Sequence, residues 1–353
     1  MGDLSGDIAD RVRAACLGRT PLAIRAGGSK GFFSCPQGQA LEVSAHRGII
    51  DYEPSELVLT ARAGTALTEI ERLLGGHGQM LACEPPHFSD GATLGGTVAC
   101  GLSGPRRPYS GALRDCVLGA RIVNGHGEIL QFGGRVMKNV AGFDASRLMV
   151  GARGTLGVLL DVSLRVLPRP ESELTLRTRC SEGEAIARYC ALAGKSLAVS
   201  ATAWLAGELS IRLSGSAAAL GSARTLIGGD VIAESDAFWL GLREQTLHWF
   251  ELAPGESLWR LSLPPATPPL SLSGRACLEW GGAQRWLVSP LPAAAVFAAA
   301  KQAGGHAMLF RSEVAPAPSR IQLSAGIATL QARICRAFDP AGILNRGVME
   351  HTG

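Results

Sequence analysis

The stretch Ile24 to Phe33 reads IRAGGSKGFF. Paired glycines, a serine and a lysine in six positions could serve three chemistries: an acyl-transferring serine at an elbow, a phosphate cradle closed by a lysine, or a backbone nest for a pyrophosphate. The elbow matches Gly27, Ser29 and Gly31 but demands a helix starting at the serine. The next residues read GFFSCPQGQ, and Pro36 with two nearby glycines cannot build that helix. A phosphate-binding P-loop needs glycine directly before its lysine, and Ser29 stands there; nor does any G-x-G-x-x-G occur in the chain. A strand emptying into consecutive backbone N–H groups remains, where glycine permits positive φ and close approach of an anion. Taken alone, the pattern is weak and a plain structural turn describes it better.

Other reactive residue types are scattered. The seven histidines (46, 77, 87, 126, 248, 306, 351) occur singly, with no H-x-H or H-E-x-x-H. The nine cysteines (16, 35, 83, 100, 116, 180, 190, 277, 335) form no C-x-x-C pair and no closely spaced set. Zinc and iron–sulfur sites announce themselves by close spacing, so no metal is expected here. If the protein moves electrons, a cluster must sit on another subunit.

The elements needed to position the loop are readable from periodicity. An amphipathic helix (8–17) leads to the strand PLAIRA and the glycine loop. ALEVSA and ELVLTARAG follow as strands, then a helix over 65–74 with apolar residues at helical spacing, stopped by glycines at 75–78. Residues 83–111, CEPPHFSDGATLGGTVACGLSGPRRPYSG, are too rich in glycine and proline for any long element, and loops of that length are usually functional. Two strands about Asn124-Gly125, a short helix near 144–150, a second glycine loop GARGTLG and the strand VLLDVSLRVLP complete the region. Past Pro168 and Pro170, a strand–helix–strand rhythm describes a small antiparallel α+β lobe. LPPATPPL reads as a linker or exposed turn, and late helices end at AFDPAGILNRG.

With 353 residues, 46% hydrophobic and 18% charged, the chain has material for two lobes and a large buried ligand. A net charge of +4 without a Lys/Arg block excludes a nucleic-acid footprint. The acidic start MGDLSGDIADRV is unlike a secretory signal, and the apolar run LPAAAVFAAA stops at Lys301, short of a membrane span. The chain therefore reads as cytoplasmic, with attachment at the inner membrane only through a complex.

The loops are not isolated. TLGGTVACG (93–101), RD (114–115), KNVAGFD (138–144) and GARGTLGV (151–158) follow in an order that resembles FAD domains of the vanillyl-alcohol oxidase and p-cresol methylhydroxylase type, over residues 21–167. CEPPHF, CGLSGPRRPYSG, GGRVMKNVAGFDASRLMVG and GGHAMLFR look like the FAD-binding subunits of bacterial glycolate oxidases, over essentially the whole chain and more weakly from 171 to 290.

That resemblance implies an α+β protein: an FAD domain over 1–170 made of two α/β subdomains, a smaller antiparallel cap over 171–333, and a segment over 334–353 that returns to the flavin. It implies that Arg25, Ala26, Gly27, Gly28, Ser29, Lys30 and Gly31, with Thr93, Leu94, Gly95, Gly96 and Thr97, wrap the FAD pyrophosphate through backbone N–H groups. Gly154, Thr155, Leu156, Gly157 and Val158 would run along the flavin. Pro85, Gly101, Gly111, Asp115 and Gly142 belong to the same loops. Lys138, Asn139 and Asp144 would orient phosphate or ribose, although Asp144 serves equally as a helix cap. Arg106, Arg107 and Arg114 suit phosphate or the charge that builds at N1–C2 of a reduced flavin, or form a solvated surface pair; Asn345 and Arg346 stand alike.

Many relatives attach FAD covalently through a histidine after the paired glycines. Ser29 occupies that place, so non-covalent FAD is expected. Related 2-hydroxy-acid dehydrogenases place a histidine cluster, often with a metal, near the substrate; none is visible here. His87, His306 and Lys138 are what the chain offers as a base, the histidines having turn or packing roles as their alternative. The function implied is that of an FAD-binding subunit oxidising glycolate to glyoxylate, with a second FAD-containing subunit and an iron–sulfur subunit passing electrons to a quinone-like acceptor. A self-sufficient 2-hydroxy-acid dehydrogenase and a flavin-free assembly subunit are the alternatives.

Overall fold

The structure is a computed structural model that describes residues 2–33, 36–134, 145–312, 321 and 323–348. The chain divides into two compact units: residues 1–103, 111–169 and 323–353, and residues 104–110 with 170–322.

In the first unit a five-stranded antiparallel sheet runs in the order Ile49–Glu53, Val58–Arg62, Val158–Arg165, Val117–Val123, Ile129–Gly133. Val158–Arg165 is central and buried along seven of its eight residues, with Asp161 and Ser163 as its buried polar members. The hairpin expected at Asn124-Gly125 forms because Asn124 Oδ1 accepts from the N–H groups of His126 and Glu128, each at 3.0 Å, an Asx turn. The helix Leu67–Gly76 carries Leu67, Ile70 and Leu74 at 0% exposure onto this sheet's core. Burying three such side chains contributes on the order of 5–8 kcal/mol before entropy is counted.

A second core gathers Ile8, Val12, Leu22, Leu41, Val158, Leu160 and Ile343 beneath the helix Ser5–Gly18 and the parallel pair Leu22–Arg25 and Gln39–Glu42. Ile343–Asn345 joins that pair: the Leu22 N–H donates to Ile343 O at 2.7 Å and the Asn345 N–H to Leu22 O at 2.9 Å. The two cores share the strand Val158–Arg165, which gives Val158 and Leu160 to one and Leu159, Val162 and Leu164 to the other.

The second unit is built on an eight-stranded antiparallel sheet, with Ser172–Arg179, Glu208–Gly215, Val199–Leu205, Arg275–Glu279, Gln284–Ser289 and Ser257–Ser262 as its inner strands. The helix Glu182–Ala193 begins at a capping box: Ser181 Oγ accepts from Glu184 N at 3.3 Å and Glu184 Oε2 from Ser181 N at 2.7 Å.

Two boundaries differ from expectation. The division at 333/334 falls inside the helix Ala325–Phe338, whose Ile334, Cys335 and Phe338 pack on the first unit's core. Residues 104–110 group with the second unit, because Arg106 donates to Ser214 Oγ (3.1 Å) and Glu173 Oε1 (2.5 Å), and Trp280 Nε1 donates to Gly104 O (3.0 Å). Of the two readings of LPPATPPL the exposed turn holds: Pro264, Pro265, Ala266, Pro268 and Pro269 are exposed within the second unit, with the carbonyls of Thr267 and Pro268 held by the Arg285 guanidinium. No helix among the described residues is long and apolar enough to cross a membrane.

Candidate flavin site

A cavity of about 470 Å³ opens in the first unit where the glycine-rich segments converge. Its walls are residues 24–31, Gly91 with Thr93, Gly95 and Gly96, the loop at Arg153, Gly154 and Gly157, and Asn345. Pro36, Glu42, Val43, Ala63, Ala99, Cys100 and Leu159 complete it.

The loop after the strand Leu22–Arg25 explains the glycine pair. A Cβ on Gly27 would stand 1.4 Å from the carbonyl oxygen of Gly91, so only glycine lets the two loops touch. Gly28 has φ +71°, and the Gly31 N–H donates back to its carbonyl at 3.0 Å, closing a tight turn. The N–H groups of Gly27, Gly28 and Ser29 have no acceptor among the described residues. Three successive open donors on a cavity wall are what an anion nest requires.

The second loop differs from expectation. Leu94 N donates to Thr65 O (2.9 Å), Gly95 N to Ala63 O (2.7 Å), Gly96 N to Thr93 Oγ1 (3.2 Å) and Thr97 N to Thr93 O (2.9 Å). Those amides start and cap the helix Leu94–Cys100, with Thr93 as N-cap. Only the Gly96 N–H, held by a rotatable hydroxyl, can be released without opening backbone structure. Thr93, Gly95 and Gly96 shape the wall, while Leu94 and Thr97 are buried in the packing behind it.

Asn345 ties three segments together at the cavity edge. Its Oδ1 accepts from Ile24 N and its Nδ2 donates to Arg153 O, both at 2.7 Å. Gly154 has φ +75°, and a Cβ there would lie 2.5 Å from Asn345 Nδ2.

Two buried cations line the same cavity. Lys30 is 7% exposed, with Nζ 3.3 Å from Ser29 Oγ and from the His87 carbonyl. Arg153 is 8% exposed and stacks 4.1 Å over Phe33; burial lowers its pKa. Burial raises the Cys100 thiol, which the charges of Lys30 and Arg153 oppose. Arg153, Cys100 and Gly91 are wall residues that sequence reasoning misses. A signal exists for Arg153, an arginine inside the loop GARGTLG.

Several predicted residues stand elsewhere. Pro85 is not part of the cavity wall, and Gly101 is the left-handed C-cap of the helix Leu94–Cys100. Gly111 packs on Asp115, whose carboxylate accepts from Ala112 N at 2.9 Å, and Arg114 is exposed. Thr155 Oγ1 donates to Ala152 O, and Leu156 and Val158 are core residues. Arg106 is committed to Glu173 and Ser214, and Arg107 lies 4.3 Å over the Trp280 ring. Arg346 donates to the carbonyls of Ala341 and Gly342.

His87 Nε2 sits 3.1 Å from Glu71 Oε1, outside the cavity wall, and His306 begins a strand of the second unit. Burial and then the Arg260 charge lower the His306 pKa. Lys138, Asn139, Gly142 and Asp144 lie outside the described residues. No group of three or more His, Cys, Asp or Glu that could hold a metal occurs among the described residues.

Fold and cavity together define a flavoprotein of the vanillyl-alcohol oxidase and p-cresol methylhydroxylase type. A family model described as an FAD binding domain matches residues 5–133, and FAD is the cofactor. The alkyldihydroxyacetonephosphate synthase structure superposes with a TM-score of 0.67 over 96% of this chain and 74% of that one; at 14% identity it speaks for the fold alone. The glycolate oxidase subunit GlcE of Escherichia coli (strain K12) is 46% identical over 98% of this chain and 97% of its own length, and the chain belongs to that family. It is thus a subunit of an FAD-dependent oxidoreductase. Partial likeness extends to the glycolate oxidase subunit GlcD of Bacillus subtilis (strain 168), 29% identical over 45% of this chain and 34% of that protein. A D-lactate dehydrogenase of Anaerostipes hadrus is 31% identical over 44% of this chain and 33% of that protein.

Proposed function

We propose that this chain holds one non-covalent FAD in the glycine-walled cavity and serves a complex that oxidises glycolate to glyoxylate. The observation that carries the reading is the trio of open N–H donors at Gly27, Gly28 and Ser29 beside the buried Lys30 and Arg153. When bound, FAD supplies a two-electron acceptor for hydride leaving C2 of a 2-hydroxy acid. The chain's residues bind and orient. Gly27, Gly28 and Ser29 offer donors to the pyrophosphate, Gly96 adds one once Thr93 Oγ1 releases it, and Asn345 holds the wall at Gly154.

The named relatives, a glycolate oxidase subunit above all, support the hydroxy-acid class and the glycolate reading within it. They also support partner subunits; a second FAD-containing subunit and an iron–sulfur subunit relaying to a quinone-like acceptor complete the proposal, with membrane attachment through that assembly. His87, paired with Glu71, is not on the cavity wall. General-base help is worth about 10² to 10⁴ in rate, so the flavin-loaded chain alone should be reduced by dithionite and left nearly untouched by glycolate. Anaerobic mixing with glycolate, followed at the visible flavin band with and without partners, tests this. Rapid bleaching of the lone chain would promote the self-sufficient dehydrogenase, and a colourless purified protein would promote the assembly subunit.

A further inference from the structure

His87 stands off the cavity wall, yet it is linked to that wall on one side and to a rigid helix on the other. The helix Leu67–Gly76 is fixed by its buried Leu67, Ile70 and Leu74, and the Leu67 N–H donates to Ala92 O at 2.9 Å. One turn further on, Glu71 Oε1 lies 3.1 Å from His87 Nε2. An ionised carboxylate only accepts, so Nε2 carries the proton and donates. The two side chains are 31% and 13% exposed, enough shielding for the bond to count. The backbone of the same histidine turns the other way: its carbonyl accepts from Lys30 Nζ at 3.3 Å.

The loop carrying His87 is bent against its own preference. Phe88 takes φ +60° and Glu84 φ +45°, left-handed conformations uncommon for such side chains. Contacts hold the bend: Phe88 meets Phe32 edge-on with ring centroids 5.3 Å apart, and at the loop's end Gly91 touches Gly27. Lys30 is gathered into the same arrangement, with Nζ 3.3 Å from Ser29 Oγ and 5.8 Å from the centre of the Phe88 ring. A lysine has a flexible four-carbon stem, and a buried ammonium stays where it finds acceptors.

We propose that Glu71 and His87 are positioning residues for FAD, holding the loop so that the His87 carbonyl keeps Lys30 Nζ beside the nest of Gly27, Gly28 and Ser29. The inference rests on the reading that this cavity takes the FAD pyrophosphate. The dianion then meets a charge already in place and spends no affinity on ordering it. The histidine's task is mechanical: its ring serves Glu71 and its carbonyl serves Lys30.

The test is a flavin-fluorescence titration of the full chain, stripped of flavin and titrated with FAD. Glu71→Ala and His87→Ala should each weaken FAD by about tenfold, the worth of one hydrogen bond to a charged group. Glu71→Gln, whose amide oxygen still accepts from Nε2, should bind like wild type. In a Lys30→Met background Glu71→Ala should cost nothing more, because the loop acts through that ammonium. A merely structural role would keep its full penalty there, so additive losses would overturn the proposal. Wild-type affinity in both alanine variants would overturn it as well. His87→Ala breaks the contact from the loop side and repeats the cycle should Glu71→Ala fail to fold. Failure of the wild-type chain to bind FAD would instead sink the cavity reading, and this inference with it.

Discussion

Removing the Asn345 side chain tests the idea that one buried amide holds the cavity wall together. In Asn345→Ala, Ile24 N–H and Arg153 C=O each lose a 2.7 Å partner. An orphaned buried polar group costs about 1–3 kcal/mol, so the pair sums to roughly 2–6 kcal/mol. Because Asn345 borders the cavity, water can reach part of the gap, favouring the lower half, about 2–4 kcal/mol. For a unit of this size that lowers Tm by roughly 4–16 °C, at about 2–4 °C per kcal/mol. Asn345→Asp should be no better, since its second oxygen would face the Arg153 carbonyl. Gly154→Ala strikes the same contact from the other side, its Cβ 2.5 Å from Nδ2. Thermal melts of the two single variants and the double variant then form a cycle. The alanine's penalty should shrink by about 1–3 kcal/mol once Asn345 is gone. Strict additivity, or an Asn345→Ala melt within about 1 °C of wild type, would refute the reasoning.

Gly28→Glu should cost about a thousandfold in FAD affinity, because two like charges at ~4 Å repel by about 4 kcal/mol at an effective dielectric of 20; flavin-fluorescence titration checks it, and full occupancy would dismiss the loop assignment. Acid precipitation should release the yellow colour into the supernatant, since Ser29 offers no histidyl link; colour in the pellet would contradict non-covalent binding. Arg106→Ala should destabilise the second unit by about 2–3 kcal/mol, the Glu173 side chain being 32% exposed and so partly rescued by water. Burial works against the Glu173 carboxylate, but Ser214, Arg106 and Arg212 hold its pKa below the usual value. A carboxylate depressed in the fold stabilises above its unfolded pKa of about 4.5 and loses that contribution as pH falls through the folded value. The acid limb of the second unit's melt should therefore flatten in Glu173→Gln, and an unchanged limb would count against the pair.

How much of this was legible in the sequence depends on whether the signal was local. Helices and strands with their own periodicity, such as Leu67–Gly76, Val158–Arg165 and Glu182–Ala193, stood within a few residues of expectation, because apolar spacing and caps are written where they act. The loop at Gly27 was legible as glycine, though not the reason for it, which is a carbonyl 64 residues away at Gly91. The second loop misled because its motif reads alike whether its amides face a ligand or start a helix. Only the acceptors Thr65 and Ala63, on a neighbouring strand end and turn, decide that. Arg106 and Arg107 read as cations near a phosphate loop, yet Glu173, Ser214 and Trp280, far along the chain, claim them. A side chain's chemistry is local and its partner is not. Lys30 and Arg153 make the same point in the other direction: neither is near the other in sequence, and at the cavity wall they share Asn345, contributed by the C-terminal segment, ties Ile24 to Arg153.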